Sequence, residues 1–331
     1  MGRHIFSSLS LGLLFTCATV SARSNTPVNV LPFKIYGQQL IVVQGSIGPL
    51  EKRNLIVDTG AYPTVIDAAV AQKLSLSGHR EELDAVDRTV SSMAVVVPAV
   101  GIGPIQATNV RSLVQDLSDV SRRAGLRVDG LIGLDVLSHS SFVIDYGAKK
   151  ISFGPIDGFP SSVPFAVANG KLCVDVHAGE NSVRLMIDTG AEKLVLFGSH
   201  VPWIPSSDRA RAFTNLAGSF VMQEVRLDTL QLGGTNLGAE PIYVSARPIP
   251  IHSFDGFLST IQFRQVAFDF ERKQFGWVTK EERKNRGNVA SKAKGTPPFA
   301  AAIVNQITKP KESVSVPVAC GTAPDRVCSL Q

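Results

Sequence analysis

Short apolar runs separated by Gly, Pro, Asn and Asp recur along the chain from about residue 29 to about residue 279. Runs such as Leu55-Ile56-Val57, Phe142-Val143-Ile144 and Val266-Ala267-Phe268 are too short for helices and rich in strand-forming residues. Residues 150–153 and 226–232 alternate with period two, the mark of a strand with one buried face. Helical patterns are few and short, at 67–74, 135–139 and 206–213. The pattern predicts an all-β protein with minor helix.

The pattern also repeats. A first copy runs Leu31-Pro32-Phe33, Leu55-Ile56-Val57-Asp58-Thr59-Gly60-Ala61, Gly101-Ile102-Gly103, Asp129-Gly130-Leu131-Ile132-Gly133 and Phe142-Val143-Ile144-Asp145. A second runs Val163-Pro164-Phe165, Leu185-Met186-Ile187-Asp188-Thr189-Gly190-Ala191, Leu232-Gly233-Gly234, Asp255-Gly256-Phe257-Leu258-Ser259 and Val266-Ala267-Phe268-Asp269. The Asp-Thr-Gly triplets lie 130 residues apart and the Asp-Gly pairs 126 apart, so order and spacing are both kept. Two copies of this length imply a duplicated domain, not a solenoid. The expected layout is a lobe over 27–156 and a homologous lobe over 157–279, joined by a Gly/Pro/Ser-rich link at 154–162.

Chemistry enters at the triplets. Each places an Asp at the tip of an apolar strand, a Gly where the chain must turn tightly, and a Thr whose hydroxyl can fix the turn. A carboxylate delivered from a buried strand costs solvation unless it is paired or used. Lobes facing each other across a pseudo-twofold axis would set Asp58 beside Asp188. Two adjacent carboxylates cannot both ionise readily, so the pair would hold one proton and share one water. The ionised member can then take a proton from that water as it attacks an amide carbonyl, while the protonated member serves the carbonyl oxygen.

On these residues the chain resembles the aspartic peptidases. Each half is similar to the retropepsin-like proteases, with Asp-Thr-Gly-Ala followed by an apolar strand and a later apolar-apolar-Gly element. The single-chain layout is similar to that of pepsins. The resemblance covers roughly residues 31–278. It implies two β-barrel-like lobes, Asp58 and Asp188 as the catalytic dyad, Thr59 and Thr189 interlocking the two loops, and Gly60 and Gly190 shaping them. It places Leu131-Ile132-Gly133 beneath the first catalytic loop.

The chain departs from the family pattern at three points. The second apolar-apolar element ends in Ser259 in place of Gly, which predicts a side chain crowding the second loop. The candidate flap over 86–97 carries no aromatic residue. Ala61 and Ala191 stand where pepsins have a hydroxyl, removing a hydrogen bond that would depress the carboxylate pKa; the expected optimum is therefore mildly acidic, roughly pH 4–6.5.

Charge and the chain ends narrow the class. The chain has 33 Lys+Arg and 28 Asp+Glu, a net +5, and residues 279–331 alone account for +5. The body is close to neutral, which argues against a nucleic-acid partner. Residues 1–22 read as a secretory signal ending in Val20-Ser21-Ala22, with export to the periplasm or the extracellular space. Residues 280–331 read as a basic, disordered tail, in which Cys320 and Cys328 could close a small disulfide loop. Cys173 reads as a buried structural thiol. The six histidines show no ligand spacing, and no Gly-x-Ser-x-Gly elbow is present, so neither a metal site nor a serine nucleophile is expected, and no cofactor is called for. No apolar run is long enough for stable membrane insertion. The partner implied is a polypeptide substrate, and two complete lobes in one chain imply a monomer. The competing reading is a catalytically impaired relative that binds extended peptides in the same cleft.

Overall fold

A computed structural model describes residues 29–84, 89–215, 218–238, 241–246, 248–249 and 253–280. The signal expected over 1–22, the tail after 280 and the Cys320/Cys328 pair lie outside these residues, as do residues 86–88 of the candidate flap. Of the described residues, 55% are in strands and 7% in helices. That ratio makes the protein all-β with minor helix, as the short apolar runs require.

The strands form three sheets. One of eight strands is built only from residues between Lys34 and Ile132, and one of ten only from residues between Ala166 and Ser259. In both, the strand ending at the Asp-Thr-Gly triplet lies parallel to the strand of the later Asp-Gly element. Leu50–Val57 pairs with Gly130–Ile132 in the register Leu55↔Gly130, Val57↔Ile132. Asn181–Asp188 pairs with Gly256–Ser259 in the register Leu185↔Gly256, Asp188↔Ser259. The apolar strand after each triplet, Thr64–Asp67 or Val195–Phe197, then packs antiparallel on the other edge of that element. Parallel strands buried on both faces explain why these runs are continuously apolar and not alternating.

The third sheet has six strands in the order Asn29–Pro32, Lys150–Phe153, Phe142–Asp145, Phe263–Asp269, Gln274–Thr279, Ser161–Pro164. Three come from each half of the chain. The halves meet at an antiparallel pair with Phe142 opposite Phe268 and Ile144 opposite Val266. The rings of Phe142 and Phe268 lie 4.8 Å apart and belong to a buried apolar cluster that draws on both halves. Asp145 and Asp269 end their strands in structural roles, accepting from Ala148 N–H and Arg272 N–H respectively.

Two expected helices are present, Ala68–Lys73 and Leu134–Leu137. The third is not: Ala210–Asn215 is a strand, hairpinned with Gly218–Val225 and anchored by Phe213 against Tyr243, ring centres 4.7 Å apart. Ser207 and Asp208 imitate a helix cap, but cross-strand pairing and burial of Phe213 outweigh that local signal. The strand expected at 226–232 shrinks to Gln231–Leu232. The residues before it form a loop held by Asn236, which accepts from Leu230 N–H and donates to Asp228 O, both at 3.0 Å. A helix not expected from the sequence, Ser118–Ala124, buries only Val120 and Ala124, too few positions to show as periodicity.

Candidate active site

The strand registers bring the two triplets to one place. Thr59 N–H donates to Thr189 Oγ1 at 2.9 Å, and Thr189 N–H donates to Thr59 Oγ1 at 3.0 Å. Each hydroxyl in turn donates across to the other loop's strand, Thr59 to Ile187 O at 2.9 Å and Thr189 to Val57 O at 2.8 Å. Four buried hydrogen bonds therefore tie residues 130 positions apart into one unit. Threonine suits this position because one hydroxyl can donate and accept at once.

Asp58 and Asp188 sit immediately before these threonines, each with 0% of its surface exposed. Each inner oxygen is fixed by its own loop: Gly60 N–H donates to Asp58 Oδ1 at 2.9 Å and Gly190 N–H donates to Asp188 Oδ1 at 2.7 Å. The outer oxygens, Asp58 Oδ2 and Asp188 Oδ2, are buried and receive no donor from the described chain. Ala61 and Ala191, which follow the glycines, have no hydroxyl to supply one.

The electrostatics follow from burial. Desolvation pushes the Asp58 carboxyl up to about 6, against the pull of the Lys171 ammonium and the Gly60 and Ala61 N–H groups. Asp188 is raised well above the ordinary carboxylate value, first by burial and then by the negative charge of Asp58. The charge of Asp58 discourages ionisation of Asp188, while a side-chain hydrogen bond from protonated Asp188 favours the ionised form of Asp58, and the pair is built to keep a proton.

The two loops are braced differently. On the first, Thr64 is buried, and its N–H and hydroxyl both donate to Asp135 Oδ1, at 3.0 and 2.9 Å. Thr64 Oγ1 accepts from Gly133 N–H at 3.1 Å, and Leu134 N–H donates to Ala61 O at 3.0 Å. A Cβ at Gly133 would lie 2.6 Å from Ala61 O, so glycine is required there. On the second loop Ser259 holds the matching place without crowding it, which corrects the expectation from sequence. Its hydroxyl donates to Ala191 O at 2.7 Å. Thr260 N–H, the counterpart of Leu134 N–H, turns instead to Asp188 O at 3.4 Å. The hydroxyl thus replaces a backbone donor that has moved. Tyr146, from the first half, adds a buried contact of 2.6 Å between its hydroxyl and Thr260 Oγ1.

Lys171 has no part in the sequence-based reading. It is 2% exposed, and its Nζ donates to Gly60 O at 2.6 Å. The sequence signal was a single charged residue heading the apolar run Leu172-Cys173-Val174, which reads as a surface lysine. Cys173 is buried and free, and burial pushes its thiol up to about 12. Among the described residues no group of His, Cys, Asp and Glu is placed to hold a metal ion, and no helix is long and apolar enough to cross a membrane.

Residues 43–136 match the family model of the aspartyl proteases. The match contains the first Asp-Thr-Gly loop, the Leu131-Ile132-Gly133 element and the Thr64–Asp135 brace, and it supports an aspartyl protease family and peptidase activity. No curated protein matches the chain. The second loop lies beyond the match, and what ties it to the aspartyl-protease segment is the reciprocal threonine bonding.

Proposed function

We propose that the protein is an exported aspartic endopeptidase of two homologous lobes related by a pseudo-twofold axis, with Asp58 and Asp188 as one dyad. The observation that carries this reading is the interlock: two Asp-Thr-Gly loops crossed by four hydrogen bonds, each presenting a buried carboxylate oxygen with no donor from the described chain. The matching strand pairings of the two halves and their equal shares in the six-stranded sheet support the lobed layout. Residues 1–22 support export to the periplasm or the extracellular space.

The chemistry needs no group beyond the dyad and water. One carboxylate accepts a proton from a water bound between the outer oxygens while the water oxygen bonds to the peptide carbonyl carbon. The other acid gives its proton to the carbonyl oxygen, producing a neutral tetrahedral diol. Collapse breaks the C–N bond: the first acid passes its proton to the nitrogen, and a hydroxyl of the diol returns one to the second. The dyad thus ends with the single proton it began with. Because burial raises both acids, the pair keeps a proton to higher pH than ordinary carboxylates would.

Hydrolysis of an unfolded protein by the mature chain between pH 3 and 7.5, with and without a statine-type inhibitor, tests the reading. Cleavage with a bell-shaped profile and loss on inhibition is expected. A folded protein that cleaves none of several unfolded substrates, yet binds extended peptides, would replace the peptidase with the peptide-binding reading.

A further inference from the structure

The two halves carry different residues at one repeated position, and the one in the second half, Lys171, stands beside the dyad. Counting 132 residues from Pro32 to Pro164 and from Phe33 to Phe165, Gln39 in the first half corresponds to Lys171 in the second. Both are buried, at 0% and 2% exposure. One is neutral and the other is an ammonium, so the charge around the two acids is not symmetric.

The structure holds the lysine firmly. Lys171 opens the strand Lys171–Ala178 directly after a turn through Asn169 and Gly170, both at positive φ. A Cβ on Gly170 would lie 2.5 Å from the Tyr62 ring, so the ring of the first loop packs closely over this turn. The Nζ then reaches Gly60 O at 2.6 Å, while the N–H of that same residue donates to Asp58 Oδ1 at 2.9 Å. A buried ammonium is costly without compensation. The groups that act on it are Asp58 first, then Asp188 and Asp135, with the Cys173 thiol a lesser contributor. The dyad in turn faces Lys171, whose charge acts on both acids, and the charge of Asp188 raises the Tyr146 hydroxyl.

Resting on the aspartic-dyad reading, we propose that Lys171 is a positioning residue that polarises the dyad: its ammonium, fixed to the first loop through Gly60, directs the shared proton onto Asp188 and leaves Asp58 as the base that activates water. Its charge favours ionisation of Asp58, whose loop it holds, more than that of Asp188, and it sets where the working pH range falls. Burial lowers the ammonium itself to about 8, so it is charged throughout the proposed range. Sequence duplication would make the two acids equivalent; this substitution in the repeat gives them different charged surroundings.

The test is Lys171→Gln, which gives the second half the residue already buried at the first-half position. Carbon-13 carboxyl titration of the dyad and the pH–rate profile would be measured together. Removing a nearby cation disfavours the carboxylate forms, so the lower titration step and the acid limb of the profile are expected to rise together, by about one pH unit. Lys171→Arg should restore both. A folded Lys171→Gln whose titration and limbs are unchanged overturns the proposal while leaving the peptidase reading intact. A shifted titration in a protein that cleaves nothing supports the lysine's role and removes the peptidase reading. Should Lys171→Gln not fold, the native lysine can be tested in the single-acid variants. Asp58 alone, in Asp188→Asn, must titrate below Asp188 alone, in Asp58→Asn; equal values contradict the proposal.

Discussion

The two Asp-Thr-Gly loops carry the same triplet and reach the same geometry by different bracing. The first is held by charge and backbone: Asp135 gathers both donors of Thr64, and Leu134 N–H meets Ala61 O. The second is held by hydroxyls: Ser259 on Ala191 O, and Tyr146 on Thr260. A cation stands against the first loop and a neutral amide occupies the matching position of the repeat. The acids and the threonine interlock therefore hold matching positions in both halves, where the two loops must fit each other. The supports differ, and two of them, Tyr146 and Lys171, reach the loop of the other half.

The largest expected effect tests what the loops share. Thr59→Ala and Thr189→Ala each remove a donor and acceptor from a buried reciprocal network and should each cost about 3–4 kcal/mol in denaturant unfolding. The double variant should cost far less than the sum, because the first substitution already opens the interlock. Simple additivity would show that the threonines do not act as one unit.

Next comes the dyad itself. Both acids have folded-state pKa values above the unfolded value near 4, so the folded state binds more protons between those values. That stability is fully present below about pH 4 and is lost as pH rises through the folded values. For Asp58 the rise from 3.8 to about 6 corresponds to about 3 kcal/mol at most. Asp58→Asn or Asp188→Asn should thus stabilise the protein at pH 7 and flatten the fall in Tm between pH 4 and 7. An equally steep fall in both variants would place its origin elsewhere.

The supports give the smaller effects, and they separate the two loops. Asp135→Ala leaves the buried Thr64 N–H and hydroxyl without their acceptor and should cost about 2 kcal/mol. Ser259→Gly restores the family pattern but removes the hydroxyl from Ala191 O, and should cost about 1 kcal/mol without raising activity. A gain in activity would mean that Ser259 does crowd the loop.

Much of this was legible in the sequence because it is written twice. The repeat exposed the Asp-Thr-Gly loops, the Asp-Gly elements beside them and the alternation of short strands. What one copy says alone was harder to see. Lys171 heads a strand as an ordinary surface lysine would, and only the fold carries its Nζ to a carbonyl 111 residues earlier. The tie between Thr64 and Asp135 crosses 71 residues and leaves no local signature. Residues 206–213 misled because capping residues are local, whereas the hairpin that claims 210–215 is decided by pairing with 218–225.

The most direct measurement compares proteolysis by the wild type, Asp58→Asn, Asp188→Asn and an equimolar mixture of the two variants. One dyad built within one chain predicts cleavage by the wild type, loss of at least about a thousandfold in each folded variant, and no recovery on mixing. Cleavage that survives either substitution, or returns in the mixture, would contradict an intramolecular pair of Asp58 and Asp188.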